Sequence, residues 1–139
     1  MTSVDQVCAV PYDVRFDDEQ KRMLVMAVDP LSLAEVIEMI DDQAARGAWH
    51  YSILHDARAI TWVPTADEIR RIVDRIRTLS KTHGARGPIA FVADNKAVFG
   101  MARMYELLGD RDRLRILVTQ DFERAQQWLV EMAAGERAG

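Results

Sequence analysis

Three histidines, one cysteine and a set of acids near strand ends are the residues of this 139-residue sequence with the reach to do chemistry. His50 and His55 are five positions apart in a run, Trp49 to His55, that reads as a strand. An odd separation on a strand puts the two rings on opposite faces, so they cannot chelate one ion unless a bulge intervenes. His83 falls at a helix end, where a cation suits the dipole. Asp56, Asp94 and Asp121 each follow a predicted strand, where α/β proteins bind ligands but also where helix N-caps fall. No acidic pair ends the early strands and no lysine follows Val118-Thr119-Gln120, so a phospho-accepting receiver site is not expected. The glycines Gly47, Gly84, Gly87, Gly100 and Gly109 are isolated, and no nucleophile elbow, Walker loop or Gly-x-Gly-x-x-Gly occurs. The single cysteine, Cys8, excludes an intrachain disulfide and a thiolate zinc cluster, and no histidine lies near it in sequence to activate it. The expectation is a protein that is not an enzyme, with no catalytic, metal or cofactor site.

The elements that would position these residues follow from periodicity. Tyr12, Val14 and Phe16 alternate with Asp13, Arg15 and Asp17, and Met23 to Val28 is nearly all apolar. Together they predict a hairpin over 12–28. Ser32 and Glu35 fit a capping box ahead of a helix with Leu33, Val36, Ile37, Ile40 and Ala44 on one face, stopped by Gly47. After the strand at 49–55 and a loop from Asp56 to Pro64, Thr65 and Glu68 give a second capping box. Ile69, Ile72, Val73, Ile76 and Leu79 follow at helical spacing. The opposite face carries Arg70, Arg71, Arg75, Arg77 and Lys81. Asp67, Glu68 and Asp74 offset them and no aromatic lies among them, so the face is read as solvated rather than as a nucleic-acid patch. A strand at 89–93, a helix capped by Asp94 or Asn95 and running to Leu108, a strand at 114–118 and a helix capped by Asp121 complete the chain. That last helix turns Phe122, Ala125, Leu129 and Met132 inward. The order β-β-α-β-α-β-α-β-α implies a single layered α/β domain over 1–139, a mixed sheet with an N-terminal hairpin and about four helices. Residues 1–10 read as a flexible arm and 135–139 as a loose tail.

Composition agrees with a globular domain: 49% hydrophobic, 29% charged and a formal net charge of −4. That charge argues against nucleic acid as a partner. The first ten residues have no cationic start and no long apolar stretch, and no window is apolar enough to span a bilayer, so a cytoplasmic protein is expected.

Four stretches are more specific than periodicity. Ile89-Ala-Phe-Val-Ala-Asp94, Val98-Phe-Gly-Met-Ala-Arg-Met-Tyr105, Arg115-Ile-Leu-Val-Thr119 and Phe122-Glu-Arg-Ala-Gln-Gln-Trp-Leu129 resemble the SpoIIAA-like family of the STAS-like superfamily, over roughly residues 12–132. The best-known STAS-like proteins are anti-sigma-factor antagonists. The resemblance implies a βα sandwich and a bacterial, non-catalytic regulatory module that works through protein–protein interaction. The antagonists are switched by phosphorylation of a Ser or Thr ahead of the helix after the third strand, usually within Asp-Ser-Ser-Gly. The matching region here, Asp56 to Asp67, has no Ser-Ser-Gly; its hydroxyls are Thr61 and Thr65, and Thr65 is needed as an N-cap.

Two surfaces remain as candidate sites. Ile60, Trp62 and Val63 are apolar within a predicted loop: either they fold back onto the core, or they form a contact patch for a protein partner or a second copy in a homodimer. Phe99, Met101, Met104 and Tyr105 on the third helix, with Trp128 and Met132 on the fourth, are large side chains able to line an adaptable apolar pocket. Gly100 would allow a close backbone approach there. SpoIIAA-like proteins also resemble the CRAL-TRIO lipid carriers in fold, so the alternative function is a carrier or sensor of a small apolar, lipid-like ligand.

Overall fold

A computed structural model of the chain describes residues 12–109 and 114–138. Five strands and four helices alternate in it. They are β1 (Tyr12–Asp17), β2 (Arg22–Val28), α1 (Leu33–Ala45), β3 (Ser52–Ala59), α2 (Ala66–His83), β4 (Ile89–Val92), α3 (Lys96–Gly109), β5 (Ile116–Thr119) and α4 (Phe122–Ala138). The strands lie side by side in chain order in one sheet. β1 pairs antiparallel with β2, and every later pair is parallel. This is the mixed sheet with an edge hairpin that the sequence order implies. The arm expected at 1–10, with Cys8, lies outside the described residues.

Crossovers of one hand between strands in sequential order put their helices on one side of the sheet. Accordingly α1, α2 and α3 share one face, packing Met39, Ile40, Ile69, Ile72, Val73, Ile76 and Tyr105 against Met23, Val25, Ile53, Ile89, Ile116 and Val118. α4 covers the other face, where Ala125 and Leu129 meet Leu54, Ala90 and Val92. Because α4 packs mainly on β3 to β5 and reaches β2 only at the half-buried Leu24, the later β2 side chains on that side stay open: Met26 is 46% and Val28 43% exposed.

Local chemistry sets the boundaries. Thr65 accepts from the Glu68 amide at 3.1 Å and Glu68 accepts from the Thr65 amide at 2.9 Å, the reciprocal box its sequence predicts. At α1 the expected box is not made: the Ser32 hydroxyl donates to the Glu35 carboxylate instead of accepting from a backbone amide. Asn95, not Asp94, caps α3, accepting from the Ala97 amide at 2.8 Å. Asp121 caps α4 through the amides of Glu123 and Arg124. α4 continues through Gly135 to Ala138, which corrects the expectation of a loose tail from 135. The glycine costs the helix about 1 kcal/mol, and the good helix formers Glu136, Arg137 and Ala138 carry it on.

The third strand departs most from expectation. Trp49 and His50 form a turn, and the strand runs from Ser52 to Ala59. Trp49 is buried because its ring is core and its indole N–H donates to the Gly84 carbonyl at 2.8 Å. The turn is fixed by Gly87, where a Cβ would come within 2.0 Å of the Tyr51 carbonyl oxygen, closer than any side chain allows. At the other end the strand continues past His55 with a bulge. Met26 pairs with Asp56 but Val28 with Ala59, and the Arg58 amide donates to the Asp56 carboxylate.

Candidate functional site

The bulge decides where the β3 side chains go. Ile53, His55 and Ala57 face the three-helix layer, while Asp56 faces the opposite side. There Asp56 accepts from Arg58 Nε at 2.9 Å and Nη2 at 2.8 Å, and the guanidinium lies 5.0 Å from the Phe122 ring centroid. The hydrogen bonds from Arg58 hold the Asp56 carboxyl below its usual range. Asp56 is therefore neither an N-cap nor a strand-end acid. His55 and Asp56 are on opposite faces, so the acids near the strand ends and His55 do not converge in a cleft. His50 is exposed and donates through Nδ1 to the Ala85 carbonyl. His83 is exposed, with its ring 6.0 Å from Trp49. Among the described residues no group of three or more His, Cys, Asp and Glu side chains is arranged to hold a metal ion.

Between the sheet and α1 to α3 lies a cavity of about 90 Å³. Its lining runs along the sheet. At the carboxyl ends of the strands it is walled by Leu31, Ile60, Trp62 and Val98; at the amino ends it reaches Arg86 and Ile89. The wall is almost wholly apolar, with three exceptions: His55, Arg86 and Tyr105.

Each exception is deeply buried, at 7%, 4% and 5% exposed. His55 stacks edge-on against Phe91, its neighbour across the β3–β4 ladder, at 4.7 Å; Phe91 in turn meets Tyr105 at 5.5 Å. His55 Nδ1 has no hydrogen-bond partner among the described residues. Burial, and next the charge of Arg86, push the ring down to about 4, so it is neutral at pH 7. Arg86 enters from the loop before β4. Its Nε donates to Gln43 Oε1 at 2.9 Å, its Nη1 to the Tyr105 hydroxyl at 3.4 Å, and its guanidinium lies 5.5 Å from the Trp49 ring centroid. Gln43 is anchored in turn by donating to the Ala48 and Trp49 carbonyls. Burial pulls the guanidinium below its ordinary value and pushes the Tyr105 phenol above its own. An arginine stays charged in proteins all the same.

The residues singled out from sequence divide on these coordinates. Of the loop trio, Ile60 is 5% exposed and Trp62 is half-buried, both against the cavity, and Val63 alone turns outward at 40%. The loop folds back onto the core, and what it leaves exposed of the trio is Val63 and part of Trp62. The Thr61 hydroxyl donates to Asp29 Oδ2 at 2.6 Å, and that hydrogen bond, with those from the Thr61 and Trp62 amides, holds Asp29 below its usual range. A phosphate on Thr61 would face that carboxylate, and one on Thr65 would break its capping box. Of the pocket residues, Met101 and Tyr105 line the cavity, and Phe99 and Met104 pack beside it in the core. Trp128 does not join them: α4 is on the far face of the sheet, where Trp128 packs beside Leu129 and Ala125. Gly100 is exposed, and nothing lies within 4 Å of where its Cβ would be, so no backbone approaches it closely.

Arg86 and Gln43 were not singled out from the sequence. An arginine between Gly84 and Gly87 has the marks of an exposed loop residue, and a lone glutamine on an apolar helix stripe was the one available signal of a buried polar contact. The basic face of α2 is largely spent in ion pairs, Arg71 with Asp67, Arg75 with Asp41 and Arg77 with Asp74. No helix of the described chain is long and apolar enough to cross a membrane. Compared with known proteins, the chain matches no family model and no curated protein.

Proposed function

We propose that the chain is a non-catalytic, STAS-like regulatory module that carries or senses a small, largely apolar ligand held between its sheet and its three-helix layer. The observation that carries this reading is the apolar cavity of about 90 Å³ beneath Trp62. One end of it, walled by Leu31, Ile60, Trp62 and Val98, lies where α/β domains bind ligands, at the carboxyl ends of parallel strands, and its wall includes Met101, a side chain that adapts to what it packs against. The STAS-like assignment is supported by the hairpin-edged mixed sheet and by the motif residues on α3 and β5. Trp62 gives a sensor its output, because it touches the cavity on one side and the surface beside Val63 on the other.

The test is a methyl-resolved NMR titration with a neutral probe of matching size, propan-1-ol. Saturable shifts are expected at the Ile40, Ile72 and Val98 methyls. Shifts confined to the exposed Leu107 and Val130 would overturn the reading.

A second reading, a protein-interaction module that binds itself or another chain, is favoured by Val63, Met26 and Val28, all apolar and 40% or more exposed. Native mass spectrometry across a concentration series tests its self-association form. A dimer that Met26→Lys or Val63→Asp dissociates would support it, and a monomer throughout would remove it.

A further inference from the structure

We infer that the cavity is built for a small monocarboxylate of about two to three carbons, with its carboxylate held by Arg86 and the Tyr105 hydroxyl beside His55. The inference rests on the ligand-binding reading above and names the chemistry of that ligand.

The argument is one of unmatched donors. A buried arginine is ordinarily paired with a carboxylate, since an uncompensated buried charge is costly. Arg86 has none among the described residues: its partners are an amide oxygen, a phenol and an indole ring, all neutral. Its Nη2 makes no hydrogen bond among the described residues. The Tyr105 hydroxyl accepts from Arg86, and its own proton has no acceptor among them either. His55 adds an unpartnered ring nitrogen in the same wall. Arg86 and Tyr105 thus leave donors without acceptors in the wall of an otherwise apolar cavity, and the neutral His55 adds a third in the tautomer that carries its proton on Nδ1. A carboxylate supplies two oxygens and about four lone-pair sites in a plane that suits a guanidinium.

Size and polarity set the rest. A cavity of about 90 Å³ is smaller than the roughly 150 Å³ that holds benzene in an engineered core. The occupant is therefore smaller than benzene: a long acyl chain or a branched five-carbon body does not fit, whereas a body the size of acetate or propanoate does. The remaining wall, Leu31, Met39, Ile72 and Val98 among others, offers no polar group to a second charge or a sugar. The competing occupant is a few ordered waters, about 30 Å³ each, and the experiment must separate the two.

The experiment compares isosteres on the wild-type protein, so it does not depend on a variant folding. Propanoate, propanamide and propan-1-ol are each titrated by the methyl NMR signals of Ile40, Ile72 and Val98. Inorganic phosphate serves as an anion without an apolar body. The carboxylate is expected to bind about tenfold or more tighter than either neutral probe, as a charge-assisted bond to a desolvated arginine would give, and phosphate is expected not to bind. Equal affinity for all three organic probes would overturn the carboxylate assignment while leaving the apolar cavity as a binding site. Phosphate binding as tightly as the carboxylate would overturn the compact apolar body. Absence of any cavity shift would remove the ligand-binding reading and this inference with it. A second arm uses Arg86→Met, with folding checked by circular dichroism. It is expected to abolish the preference for the carboxylate and to leave alcohol binding within about threefold, and a preference that survives the substitution would overturn the role of Arg86.

Discussion

The two faces of the sheet are packed on different principles. Under α4 the contact is close and dry: Ala90, Val92, Ala125 and Leu129 are wholly buried, and small side chains on one element admit large ones from the other. Under α1 to α3 the side chains are longer, a cavity is left among them, and His55, Gln43, Arg86 and Tyr105 are buried with it. A chain able to pack tightly under α4 has left a cavity under α1 to α3. Filling with Leu, Ile and Val in place of a histidine and an arginine would be the more stable choice, so the polar, open face is best understood through what it can hold.

Three expected outcomes would sharpen or break that contrast. The largest effect belongs to the closed face. Leu129→Ala is expected to destabilise by about 3–4 kcal/mol, read as a lower denaturation midpoint at unchanged slope. A loss under about 1 kcal/mol would mean that the α4 contact is not the rigid one. Next comes pH. The folded state lowers the His55 pKa from 6.5 to about 4, so between those values the unfolded chain binds the proton that the folded chain refuses. Stability therefore falls as pH drops from about 6.5 to 4, by about 3 kcal/mol at most, and His55 adds nothing further below that window. Asp56, whose pKa is lowered, acts in the same direction but at and below its ordinary range near 3.8. A His55→Phe variant should flatten the upper part of the curve; an unchanged profile would show that the ring is not sealed from water. The smallest effect is a matched pair of added methyl groups on helices. Ala125→Val, at a wholly buried contact, should cost about 1–3 kcal/mol, whereas Ala102→Val, on the cavity wall, should cost less than about 1 kcal/mol. Equal costs would erase the difference between the faces.

What could be read from the sequence was what local spacing controls. The hairpin, the apolar stripe of α2, the Thr65 box and the Asp121 cap involve residues within a few positions of one another, and their physics is complete at that range. Most of the misreadings were non-local, the Asp56–Arg58 pair being the exception. Trp49 and His50 look like strand residues until the indole finds the Gly84 carbonyl, 35 positions away. Asp56 looks like a strand-end acid because nothing in its spacing says that it will grip Arg58 and let the strand run on. Trp128 and Tyr105 share a sequence signature, yet an amphipathic stripe says that a helix has an inner face and not which side of the sheet will receive it. The cavity wall was half legible, through Met101 and Tyr105. His55 and Arg86 meet there only because strand pairing sets His55 beside Phe91 and because Gln43, on α1, draws in a loop arginine 43 positions further on.

α4 follows every described strand, yet among the described residues it alone shields their second face. During synthesis the sheet can therefore be complete, with Leu54, Ala90 and Val92 in place, while nothing yet covers them. Until α4 has emerged and docked, that strip is a sticky surface for chaperones or for neighbouring nascent chains. In the finished protein the same dependence makes α4 a separable unit. Its amides are expected to exchange hydrogen through partial undocking sooner than those of β3 and β4, which are held from both sides.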